Sequence, residues 1–141
     1  MTRFNQTKIM MFGTFDILHK GHLNFFKQAR KLSKNSFIVV SVARDVNVQK
    51  IKGRKPKNSE QARLKSVLAI KAVNKAVLGG VNNYLRHIVK ERPDIIALGY
   101  DQKAYTQNLK NQLTKLGLNV KIVRLKAFKP KIYKSSKLIK L

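Results

Sequence analysis

The 141-residue chain contains no cysteine, and only six of its residues are acidic and three are histidine. Without cysteine it can form no disulfide, hold no thiolate-bound metal and use no cysteine nucleophile. This suits a reducing compartment, and a soluble, cytoplasmic protein is the expectation. Long apolar runs are also missing. The stretch "SFIVVSVA" is too short to cross a bilayer, and the opening "MTRFNQTK" lacks the apolar core of a signal peptide. No membrane partner is expected.

What the chain has in excess is positive charge: 31 Lys plus Arg against 6 Asp plus Glu, a formal net charge of +25. Charge of this sign attracts phosphates of every kind, whether on nucleotides, nucleic acid or anionic lipid. The lysines are spread along the whole chain and are not gathered in a tail, so most read as solvated surface and a few as functional. Non-specific nucleic-acid binding at low salt is expected, and specific nucleic-acid recognition is not. The length fits a single domain, 1–141.

Lys8 to Phe12 reads as a strand, and "GHLNFFKQARKL" as a helix with Leu23, Phe26, Ala29 and Leu32 at helical spacing. The valine-rich run "NSFIVVSVAR" has the character of a strand buried on both faces. The polar, basic "VQKIKGRKPKNS", with Gly53 and Pro56, reads as an exposed loop. Ser59 then predicts the N-cap of a helix through "EQARLKSVLAIKAV". Beyond it come a strand in "NKAVLGG", a helix in "VNNYLRHIVKER", a strand in "PDIIALG", a helix in "TQNLKNQLTKLG" closed by Gly117, and a strand in "NVKIVRL". The last eight residues, "KSSKLIKL", read as a short helix capped by Ser135 or Ser136. Strands alternating with helices imply right-handed crossovers and a doubly wound α/β domain with a five-stranded parallel sheet. Ligands of such sheets lie beyond the carboxyl ends of the strands, at the switch point.

Asp16, Asp45 and Asp101 follow the predicted ends of strands one, two and four. Turn chemistry and function are equally good readings for Asp45. The surroundings of Asp16 and Asp101 favour function. In "GTFDILHKGH", Gly13 allows a close turn, and the helix beginning near Gly21 offers backbone N–H groups and the positive end of its dipole to an anion. His19 and His22, three residues apart, can both donate to one phosphate chain, and Asp16 can hold a magnesium ion. Two alternatives stand beside this. The histidines and an acid could bind zinc, although their spacing fits no closed four-ligand site. They could equally be ordinary loop and cap residues. His87, beside Arg86 in mid-helix, reads as solvated surface.

"GTFDILHKGH" resembles the HxGH signature of the nucleotidyltransferase superfamily, whose members have a Rossmann-like fold and include the glycerol-3-phosphate, choline and ethanolamine cytidylyltransferases. "VARDVNVQKIKGRKP", "EQARLKSV", "NKAVLGG", "RPDIIALGYDQ" and "YKSSKLIK" extend the resemblance to the archaeal FAD synthases, which are FMN adenylyltransferases, over nearly the full chain. The resemblance implies a magnesium-dependent transfer of AMP from ATP to FMN, giving FAD and pyrophosphate. It implies that Thr14, Phe15, Lys20, Gly21, Arg63, Asp101, Ser135 and Ser136 contact the nucleotide, and that His19 and His22 stabilise the triphosphate. Lys52, Arg54 and Lys55 would form a basic loop over the phosphates, with Lys52 and Arg54 counted with the histidines as catalytic. Lys20 stands where many relatives have proline. "KPKIYK" replaces the Arg-Thr-Glu-Gly of glycerol-type relatives, leaving Lys131 or Lys134 in place of the arginine. The same-class alternative is a CTP-dependent transferase acting on glycerol 3-phosphate or a similar phospho-alcohol. The different-class alternative is a nucleic-acid-binding protein on an inactive scaffold. Relatives are often homodimers, and a homodimer is the corresponding expectation.

Overall fold

The computed structural model describes residues 6–80, 84–99, 102 and 107–127. Along them strands and helices alternate: β1 (Thr7–Gly13), α1 (Lys20–Arg30), β2 (Ser36–Val42), α2 (Asp45–Lys52), α3 (Glu60–Leu68), β3 (Lys75–Leu78), α4 (Tyr84–Glu91), β4 (Ile95–Leu98), α5 (Gln107–Lys115) and β5 (Lys121–Arg124). The five strands form one parallel sheet in the order β3-β2-β1-β4-β5, as the alternating pattern implies. The two central strands are the most apolar because helices cover both of their faces. One face meets α1 and α3 through Ile9, Met11, Phe26, Ala29, Ile38, Val40 and Val67. The other meets α4 and α5 through Met10, Ile88, Ile96, Leu109 and Leu113.

Three elements differ from their sequence reading. The predicted loop from Val48 begins inside a helix, α2. That helix carries no clear apolar stripe. It forms because Val48 is buried, the Asp45 N–H donates to the Glu60 carboxylate of α3 at 2.8 Å, and Gly53 stops it in the left-handed region at φ +74°. The basic stretch from Gly53 onward remains a loop. In α1 Phe26 and Ala29 are buried and Leu32 packs against the core as expected, but Leu23 is 42% exposed and Phe25 packs against the core in addition. Helix α3 ends at Leu68, five residues before its predicted end at Val73. Ser59 does cap it, accepting from the Ala62 N–H at 3.2 Å. Gly117 closes α5 with φ +83°. The predicted helix over 134–141 lies outside the described residues.

Strand order reverses between β1 and β4, so the switch point of the sheet lies between their carboxyl ends. The β1–β4 ladder is short, pairing Ile9 with Ile95 and Met10 with Ile96. Farther on, Gln102 bridges the two strands: its Nε2 donates to the Phe12 carbonyl at 2.8 Å and its Oε1 accepts from the Gly99 N–H at 2.7 Å. The strands part there and leave a crevice.

Candidate active site

A cavity of about 280 Å³ occupies this crevice, with Gly13, Thr14, Asp16, His22, Lys52 and Gln102 among its lining residues. Its floor is the turn after β1. Phe15 has φ +53°, unusual for any residue with a side chain. The turn folds the Phe15 ring back over Gly13, where an added Cβ would lie 2.6 Å from the ring. Only 8% exposed, that ring packs against His22 and Phe26 at the edge of the core and also lines the cavity.

The two histidines build the start of α1. His19 is the N-cap: its Nδ1 accepts from the Gly21 N–H at 3.0 Å, and the His22 Nδ1 accepts from the His19 N–H at 3.3 Å. This is a capping box made by two imidazoles. A nitrogen that accepts carries no proton, so each neutral ring holds its proton on Nε2. The rings stack with centroids 3.9 Å apart. Burial lowers the pKa of His19 below its ordinary value. Burial, and then the neighbouring His19 charge, push His22 down from 6.5 to about 3. At neutral pH both are therefore uncharged N–H donors at the positive end of a helix dipole. The cap reading is thus what the structure shows, and the cap leaves the proton of each ring on Nε2.

Asp16 is buried, and its carboxylate ties down the end of the basic loop. One oxygen accepts from the Lys57 N–H at 2.8 Å; the other accepts from the Asn58 N–H at 2.9 Å and from the Asn58 side chain at 3.2 Å. A carboxylate oxygen has two acceptor sites, so one oxygen is filled and the other keeps one site. Among the described residues no group of three or more His, Asp or Glu is arranged for a metal. The donor set therefore fits only an ion held mainly by a ligand's own phosphates and water, as magnesium commonly is.

Arg63, expected to contact the nucleotide, does not face the crevice. It is 1% exposed and donates to the carbonyls of Asn58 (3.0 Å), Thr14 (2.8 Å) and Ala43 (2.8 Å) and to the Asp45 carboxylate (2.6 Å). Its four bonds join the turn after β1, the turn after β2 and the end of the basic loop. Asp45, which also accepts from the Glu60 N–H at 3.3 Å, is settled as structural. His87 is only partly exposed: its Nε2 and the Ser41 Oγ are 2.8 Å apart, and burial lowers its pKa. Lys20 is exposed at the first position of α1, and Gly21 is buried. Lys52 lines the cavity, while Arg54 and Lys55 are exposed and are not among its lining residues. Asp101, Lys131, Lys134, Ser135 and Ser136 lie outside the described residues.

The sequence profile of the cytidylyltransferase-like family matches residues 10–141. The chain belongs to this family. It is 46% identical over 119 residues to the FAD synthase of Methanosarcina mazei, covering 84% of this chain and 76% of that protein. To the FAD synthase of Thermococcus sibiricus it is 41% identical over 141 residues, covering 99% and 94%. The crystal structure of the lipopolysaccharide core biosynthesis protein from Thermoplasma volcanium matches with a TM-score of 0.80 at 38% identity, covering 87% of this chain and 98% of that one. A pantoate-beta-alanine ligase from Francisella tularensis, at 16% identity and TM-score 0.62, shares the fold.

Two residues of this cytidylyltransferase-like site escaped the sequence reading. Gln102 lay inside the recognised "GYDQ" stretch but was overshadowed by the acid before it. Asn58, in a loop of polar residues, offered no signal, because its role depends on meeting Asp16 from 42 positions away.

The buried, neutral His22 makes stability depend on pH. Its folded pKa is below the unfolded value, so the unfolded chain binds the proton more readily, and stability falls as pH drops below about 6.5 toward 3. The contribution of this one group approaches a slope of about 1.4 kcal/mol per pH unit. Urea unfolding at pH 7, 6, 5 and 4 should show a shallower fall for His22→Gln than for the unmodified protein.

Proposed function

We infer that the protein transfers the AMP of ATP to FMN, forming FAD and releasing pyrophosphate. The observation that carries this reading is the run of FAD synthases 38–46% identical over 84–99% of the chain. In the reaction an oxygen of the FMN phosphate bonds to the α-phosphorus of ATP, and the bond from that phosphorus to the pyrophosphate oxygen breaks. Both reactants are anions. The work of the site is thus alignment and neutralisation, which needs no covalent intermediate and no strong base.

In this reading His19 and His22 donate their Nε2 protons in hydrogen bonds to the triphosphate, supported by the α1 dipole. Lys52 adds positive charge at the cavity wall, and Arg54 and Lys55 do so from the loop that Asp16 anchors. Thr14 contacts the nucleotide from the turn after β1, with Lys20 and Gly21 at the helix mouth. Asp101, Ser135 and Ser136 complete the nucleotide contacts. A divalent ion, magnesium in this reading, supplies charge neutralisation on the phosphates when bound, and the remaining acceptor site of Asp16 can hold it. No helix of the described residues is long and apolar enough to cross a membrane. A cytoplasmic homodimer without specific nucleic-acid partners belongs to the same reading.

The test is to incubate the protein with ATP and FMN, and in parallel with CTP and glycerol 3-phosphate, each with magnesium and with a chelator. FAD and pyrophosphate should form only in the first mixture, and only with the metal. Pyrophosphate from CTP and glycerol 3-phosphate alone would replace this reading with the cytidylyl one. Tight RNA binding at high salt without nucleotide binding would replace both.

A further inference from the structure

His22 is held from two sides. On one, the ring of His19 stacks against it at 3.9 Å, and the His19 N–H donates to its Nδ1. On the other, Phe15 meets it edge-to-face, with ring centroids 5.3 Å apart and planes at 69°. Phe15 in turn rests on Gly13 and on Phe26, whose centroid is 5.7 Å away. A flexible turn would not place an aromatic ring there. The chain does so by putting Phe15 at φ +53°, a conformation that costs on the order of 1 kcal/mol for a residue with a Cβ. The same reversal of the backbone sends the next residue, Asp16, toward the Lys57 and Asn58 amides.

From this geometry we propose that Phe15 is a positioning residue for His22. Its ring closes the inner side of the imidazole, fixing the plane in which Nε2–H points and keeping water from the Nδ1 that accepts from the helix cap. The ring borders the cavity, and it acts on the reaction through His22. The role rests on the AMP-transfer reading for its catalytic consequence. The orientation of the imidazole is a property of the protein without substrates.

Phe15→Leu keeps an apolar side chain but removes the flat face. The expected result is a fall of about tenfold in kcat, the size of effect that loss of one aromatic contact allows, with the KM for ATP changed less than twofold. In the same variant, imidazole ¹⁵N resonances recorded at neutral pH without substrates should show His22 moving from one tautomer toward a mixture. Gly13→Ala provides a second route, since its Cβ would displace the Phe15 ring without removing it. It should give the same pair of changes, and it decides the matter if Phe15→Leu fails to fold.

Unchanged His22 resonances would overturn the proposal, as would altered resonances with unchanged kcat. A rise in the KM for ATP alone would also overturn it and assign Phe15 a direct nucleotide contact. If the unmodified protein made no FAD, the functional reading would fail by itself. The substrate-free resonances would still decide whether Phe15 positions His22.

Discussion

Replacing His19 or His22 with alanine lowers the turnover of FAD formation by about two to three orders of magnitude, the loss expected when a preorganised donor to transition-state charge is removed. Both rings are uncharged at neutral pH in the chain without substrates, so the proposed role is that of a directed N–H donor and not of a resident cation. Their stacking at 3.9 Å and their shared capping box make them one unit. The double variant should therefore lose little beyond the worse single variant. The two substitutions differ in a second readout. His19→Ala also removes the N-cap of α1 and should cost about 1 kcal/mol of stability. Steady-state kinetics together with thermal melting separates the two effects. Near-wild-type turnover in both variants would remove the histidines from the mechanism.

Arg63→Met unfolds the protein more readily, by about 3 kcal/mol, because three carbonyls lose their shared donor while the partly exposed Asp45 carboxylate can turn to water. The side chain is inaccessible, and its loss strands the carbonyls of Thr14, Ala43 and Asn58. A drop of about 10 °C in melting temperature follows for a domain of this size. Lysine does not rescue it, because one ammonium cannot span acceptors that a planar guanidinium reaches together. A nucleotide-contacting arginine would behave in the opposite way, raising the KM for ATP with little change in melting. Calorimetry beside the kinetics thus distinguishes the clamp from a ligand.

The scarcity of acids acquires a structural meaning in this light. Asp16 holds the Lys57 and Asn58 amides, and Asp45 holds Arg63. Glu60 pairs with Arg44, Glu91 with Lys8 and Lys75, and Asp94 accepts from the Lys8 N–H. Every acid among the described residues therefore fastens one part of the fold to another. Asp16 and Asp45 cluster beyond the strand ends because several turns must be joined there, and joining them shapes the site.

The alternation of strands and helices was legible because each element buries its own face and so carries its own period. Helix α2 was not, since its polar sequence has no period and its order comes from Glu60 of another helix. The same division runs through the site. "GTFDILHKGH" marked the start of α1 and its two histidines locally, because a helix start, a glycine and two histidines are neighbours in sequence. Arg63 could not be assigned in that way. A basic residue at the start of a helix looks the same whether it faces a phosphate or three carbonyls.

By itself, then, the sequence determined the parallel α/β class, the helix that starts at His19 and the kinship that points to AMP transfer. Periodicity and short motifs depend only on residues close together in the chain. Only the tertiary structure decided that His19 and His22 are neutral and fixed in one tautomer, that Phe15 braces the second of them, and that Asp16 and Arg63 serve the basic loop. Each of these rests on burial and on partners brought together from distant positions, which a linear pattern cannot specify.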